Sequence, residues 1–266
     1  MRLLLACFIF SLLFATTIFA APYAAIVINT NTGEVLHEEN ADMRLHPAGL
    51  TKLMSLYAAF DAIETGLVSL DDKVKISKKV EVEPPVKLGL RSGQQIKLRY
   101  LLRAAAVQGA NDASTAIAEA IDGSEAAFAR RMNGYAKELG LTRSTWKNAH
   151  GLTEKGHFST ARDIANLFLA HYRDFPDYFN LFSRIMTNAG LKDVTNSSRR
   201  LLSNLRGTEG AKYGYTRAAG FNTVAIVRHG DRGVVVVVFG ARSTATLNKQ
   251  VANLANKGFW EIAMDK

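Results

Sequence analysis

The sequence predicts an α/β protein, with one sheet covered by helices and a mostly helical lobe beside it. The first sign is placement: strand-forming stretches stand at the two ends of the chain, with helices between them. The second is residues 233–240, a valine run that reads as a central strand covered on both faces. The third is residues 46–60, where Leu53, Met54, Leu56, Tyr57 and Phe60 give a helix with a wide buried face.

Taken in order, residues 23–29 and 34–37 read as strands joined by the turn 29–33. A loop leads to a helix over 49–65, which Gly66 ends. Residues 70–98 are turn-rich, with short strands. Helices follow over 100–107 and 113–121, interrupted at 108–112, and then over 124–139 up to Gly140. Thr160 and Asp163 come close to a capping box for a helix over 161–171, and 176–182 is a short helix. Residues 195–205 lead to strands over 210–216, 220–227 and 233–240, and an amphipathic helix over 244–263 closes the chain. There is no internal repeat, low-complexity tract or flexible linker.

The length of 266 residues is enough for a sizeable core, and 48% hydrophobic with 21% charged residues is a globular composition. Residues 1–20 read as an export signal, with Arg2 at its start, an apolar run from Leu3 to Phe19, and a cleavage site at Ala20. The only cysteine, Cys7, lies inside it, so a mature chain would carry no thiol. The net charge of +9 favours anionic envelope partners through its field. Its basic residues are scattered, and no nucleic-acid motif accompanies them.

Three short stretches carry the chemistry. Lys52 stands in the first turn of an apolar helix, where the helix dipole disfavours a cation. A lone lysine there is expected to run its stem along the apolar face and carry its head to the surface; one buried there would have a depressed pKa and could act as a base. Gly109-Ala110-Asn111 lies between two helices, and by itself is an ordinary loop glycine followed by a helix cap. Lys212-Tyr213-Gly214 lies on a strand, where an aromatic residue is common. The six histidines show no metal-ligand spacing, and His46, His150 and His157 read as structural or solvated loop residues.

Together, in this order and spacing, these stretches resemble the three active-site motifs of the D-alanyl-D-alanine carboxypeptidases. These are low-molecular-mass penicillin-binding proteins with a β-lactamase-like fold. The flanks His150-Gly-Leu-Thr, Ser159-Thr-Ala-Arg-Asp163 and residues 214–222 look like the same family, so the resemblance covers roughly residues 22–262. It implies an antiparallel sheet covered by helices, and serine acyl transfer with no cofactor and no metal. The first motif supplies a nucleophilic Ser three residues before a Lys base; here Gly49 stands at the Ser position and Lys52 at the Lys. The second, Ser-Xaa-Asn, keeps the substrate-holding Asn111, and Gly109 replaces its proton-relaying Ser. The third, Lys-Thr-Gly, keeps Lys212 for a terminal carboxylate and Gly214 for close approach, but places Tyr213 where the family has Thr.

The resemblance further implies a signal peptide over 1–20 and one carboxypeptidase-like domain over 21–266, without the family's C-terminal β domain and anchor. The expected result is a soluble periplasmic protein. Three functional readings follow. The first is a lapsed enzyme that still binds peptidoglycan stem peptides or cell-wall enzymes, since catalytic hydroxyls act as a unit. The second is a working carboxypeptidase in which Lys52 activates water. The third is a protein-binding regulator whose old cleft is plugged by Tyr213.

Overall fold

A computed structural model describes residues 21–264; the leader expected at 1–20 lies outside the described residues. The chain begins with a hairpin, β1 (Ala24–Asn29) and β2 (Val35–Glu39). A single 3₁₀ turn over Ala48–Leu50 then opens α1 (Thr51–Glu64). After β3 (Lys73–Lys75), α2 (Lys78–Val82) and β4 (Gln95–Lys97), α3 (Leu98–Arg103) runs on into a π-helical turn over Ala104–Gln108. The helical lobe continues with α4 (Asn111–Asp122), α5 (Glu125–Glu138), α6 (Ala161–Asp174) and α7 (Pro176–Phe179). A hairpin of β5 (Met186–Asn188) and β6 (Asp193–Thr195) and the short α8 (Arg199–Asn204) lead back to the sheet. There β7 (Thr208–Thr216), β8 (Gly220–His229) and β9 (Arg232–Ala241) are followed by α9 (Thr244–Met264).

The five-stranded sheet has the order β2-β1-β9-β8-β7, and every neighbouring pair is antiparallel. The first and last strands in sequence therefore meet at its centre, and β7 is an edge. The valine run explains why β9 is central. Val235, Val237 and Phe239 enter the large core shared with α1 and α6. Val234, Val236 and Val238 enter a smaller one under α9. A strand covered on both faces has no polar side to present, so the alternation normal to half-exposed strands is lost.

Helix α1 is buried from Thr51 to Phe60, which is why its polar residues must find partners inside the protein. Ser55 donates to the Ala149 carbonyl at 2.6 Å, and the Thr51 hydroxyl is paired with His157 Nε2 at 2.8 Å. At the start of α6 the expected capping box is half made. The Thr160 hydroxyl accepts from the Asp163 amide at 3.0 Å, while the Asp163 carboxylate is taken up by Ser144 and the Arg143 amide. The helix runs past the expected 171 to Asp174, and the β5–β6 hairpin was not legible in the sequence.

Candidate functional site

The fold carries the three motif stretches to one place. The 3₁₀ turn before α1 holds Gly49, and the first turn of α1 holds Lys52. The π-helical turn ends at Gly109, whose φ of +82° lets the chain reverse into α4 at Asn111. Edge strand β7 brings Lys212, Tyr213 and Gly214. A cavity of about 330 Å³ is lined by Gly49, Lys52, Gly109, Asn111 and Tyr213. Lys212 and Gly214 are not among the residues that line it.

Lys52 is 2% exposed. Its Nζ donates to Asn111 Oδ1 at 2.8 Å and to the His150 carbonyl at 2.6 Å. Burial lowers its pKa from the usual lysine range to about 7, against the opposing pull of Glu83 and Asp112. Asn111 is fully engaged as well: its amide nitrogen donates to the Pro84 and Pro85 carbonyls at 3.0 and 3.2 Å. The side chain expected to hold a substrate amide here joins Lys52 to the loop at 84–85.

Lys212 is likewise held by internal partners. Its side chain is entirely buried, and Nζ donates to the Ala105 and Ala106 carbonyls, each at 2.7 Å. Those carbonyls lie on the π-helical turn, where the shift of register leaves them without regular helical partners. Burial, with Lys52 adding to it, holds the Lys212 pKa well below the usual range. In this arrangement Lys212 ties β7 to the helical lobe, and a ligand carboxylate would have to compete with two backbone acceptors for it.

Tyr213 neither fills the cavity nor leaves it. Its ring packs on the α9 side of the sheet with Phe221, at a centroid distance of 6.2 Å, and borders the cavity at one edge. Burial raises its pKa to about 12. The backbone beneath it matters more. A Cβ built on Gly49 would lie 2.8 Å from the Tyr213 carbonyl oxygen and 3.0 Å from Gly214 Cα.

Several lining residues had no signal in the sequence that separated them from loop residues: Gln108, Ser197, Tyr215 and Thr216. His150 also lines the cavity, and it is a buried loop residue, structural and not solvated. Its Nε2 lies 3.4 Å from Glu125 Oε1 and 3.6 Å from Glu83 Oε2, three groups far apart in sequence. Nδ1 accepts the Leu152 amide at 3.1 Å, so in the neutral ring the proton sits on Nε2 and faces the carboxylates. That tautomer offers them a hydrogen-bond donor where a metal would need a lone pair. Burial depresses the His150 pKa to about 4, while burial raises that of Glu83. For Glu125 burial works upward, yet the hydrogen bonds from Lys79 and the Ala149 amide prevail and lower it.

A model of the D-alanyl-D-alanine carboxypeptidase family matches residues 16–243. The chain belongs to that family. It is 34% identical to D-alanyl-D-alanine carboxypeptidase DacF of Bacillus subtilis over 239 residues, covering 89% of this chain and 61% of that protein. It is 35% identical to DacC of Escherichia coli over 266 residues, covering 94% and 66%. The chain thus spans less than two thirds of the length of these relatives. Among solved structures, the carboxypeptidase DacD from Francisella tularensis superposes with a TM-score of 0.83 at 26% identity, over 88% of this chain and 69% of that one. Penicillin-binding protein 5 from Haemophilus influenzae gives 0.82 at 28% identity, over 90% and 70%. The fold is therefore the penicillin-binding, β-lactamase-like one, and the family is one of peptidoglycan metabolism.

Proposed function

We propose that this family member has lost acyl transfer and works by binding, taking the D-Ala ends of peptidoglycan stem peptides in the cavity between Gly49, Asn111 and Tyr213. The observation that carries this reading is Gly49. No side-chain atom stands there to attack a carbonyl, and the nearest hydroxyls on α1 are committed elsewhere, Thr51 to His157 and Ser55 to Ala149. The proposed setting is the periplasm, reached through the leader at 1–20 with the rest of the chain as one carboxypeptidase-like domain. No helix among the described residues is long and apolar enough to cross a membrane.

The test is labelling with a fluorescent penicillin, beside a serine-containing relative as control. No covalent adduct is expected. An intact-mass increase of one penicillin, mapped to residues 46–55, would overturn the reading. Titration with a D-Ala-D-Ala-ending peptide then tests the binding half, which fails if no saturable binding is seen.

One observation favours the second reading, a carboxypeptidase without serine: an amine with a pKa of about 7 in contact with the cavity could deprotonate water near neutrality. Release of D-Ala from diacetyl-Lys-D-Ala-D-Ala, abolished in Lys52→Met, would establish it. A regulator with a plugged cleft is the least supported reading, because the cavity stands open at about 330 Å³.

A further inference from the structure

Two hydrogen bonds leave one position on the Lys52 nitrogen unused. Nζ donates to Asn111 Oδ1 and to the His150 carbonyl. Among the described residues it has no third acceptor and no carboxylate within ion-pair distance. A neutral amine has two hydrogens and a lone pair, whereas an ammonium has three hydrogens to place. Two acceptors match the neutral form, whose lone pair is then left without a protein partner on a side chain that lines the cavity. One helical turn earlier on the same face stands Gly49, so no side chain from that position covers the nitrogen.

We propose that Lys52 is the nucleophile this cavity retains, an amine that condenses with the carbonyl of a small aldehyde or α-oxo acid to form an imine. The Nζ lone pair adds to the carbonyl carbon, and the C=O π pair moves to oxygen, which takes a proton from the nitrogen. The resulting hydroxyl then leaves as water with the second amine proton, and the nitrogen lone pair closes the C=N bond. The step needs no oxidant or reductant. Protonation of the imine restores one N–H, enough to keep one of the two hydrogen bonds.

Acyl compounds are a poorer match. Transfer of an acyl group from a peptide or β-lactam requires a proton delivered to a departing amine, and position 109, where the family relays that proton, is glycine. Imine formation expels only water. Electrostatics support the same amine. Burial disfavours the Lys52 ammonium, and Lys52 in turn adds to the lowering of the buried Lys212. Glu83 and Asp112 oppose the effect of burial on Lys52, His150 is held neutral by burial, and Lys79 is paired with Glu125 beyond it. The inference does not depend on whether the cavity binds a D-Ala peptide.

The probe is glyoxylate with cyanoborohydride, applied to the full chain near pH 7 and read by residue-mapped mass spectrometry. At that pH the neutral fraction of an amine titrating near 7 exceeds that of an ordinary lysine by about a thousandfold. Reductive trapping is expected to place one carboxymethyl group on Lys52. Its rate there should exceed that at the exposed Lys78 by at least about tenfold, since lower basicity gives back part of the advantage. The ratio should shrink as pH rises into the ordinary lysine range. Modification spread over exposed lysines with Lys52 untouched, or a Lys52-to-Lys78 ratio that does not change with pH, would overturn the proposal. Because both rates are read in the unmodified chain, the result does not require a Lys52 variant to fold.

Discussion

Gly49 is tight as well as bare. Its missing Cβ would sit 2.8 Å from the Tyr213 carbonyl oxygen, against backbone that cannot rotate away as a side chain can. Gly49→Ala is therefore expected to destabilise the protein by about 1–3 kcal/mol, the usual cost of overpacking, as measured by urea denaturation. An unchanged midpoint would mean that β7 yields easily. Gly49→Ser meets the same contact, so the restored hydroxyl enters only if β7 moves outward. It would find Lys52 as a base but no relay at Gly109. Single-variant turnover of diacetyl-Lys-D-Ala-D-Ala is expected to stay near background, because misplacing the reacting groups slightly can cost about 100-fold.

Element β7 is held on both sides of that contact, by Lys212 reaching the π-helical turn and by its ladder with β8. Replacing Lys212 with Met removes the partner of two buried carbonyls, and a loss of roughly 1–3 kcal/mol is expected in denaturation. A Lys212→Met protein as stable as its parent, but unable to bind a D-Ala-ending peptide, would show that the lysine serves a ligand instead. The π-helical turn constrains any repair of the second motif. Gly109 has φ +82°, where a serine costs roughly 1–2 kcal/mol. Even so, the combined Gly49→Ser, Gly109→Ser, Tyr213→Thr protein should exceed Gly49→Ser in turnover by more than the other two changes contribute separately. Equal rates for the single and the triple variant would make residues 109 and 213 bystanders.

Across the whole molecule, buried neutral histidines set the response to acid. Burial depresses the pKa of His150 and His171 to about 4 and that of His157 to about 3, from 6.5. The unfolded chain takes up these protons first, so their contribution to stability is present above about pH 6.5 and is lost as pH falls toward 4. Each histidine adds a slope of up to about 1.4 kcal/mol per pH unit in that window. Asp163 and Glu83, raised by burial, work in the opposite direction. The melting temperature should therefore fall steadily between pH 6.5 and 4. His171→Gln removes one titrating ring, and should flatten that fall even if it lowers stability at pH 7. A parallel curve would place the acid sensitivity elsewhere.

By itself the sequence determined the sheet-and-helix class and the doubly covered strand at 233–240, which are local properties of periodicity and glycine placement. The three motif stretches and their altered residues were legible through the resemblance to the carboxypeptidase family. The sequence also put Lys52 in the first turn of a helix with a wide buried face at residues 53–60, while the structure decided that the lysine itself is buried. The tertiary structure alone decided what those side chains touch. Asn111 and Lys212 were legible as residues but not as internal ties, since their partners at 84–85 and 105–106 are set by how the lobes close. The cluster of Glu83, Glu125 and His150 has no sequence spacing to betray it, because three separate elements supply it. The closeness of Gly49 to the β7 backbone is likewise a fact of packing: contact between chain segments more than 150 residues apart depends on how the whole core fills, which no local pattern encodes.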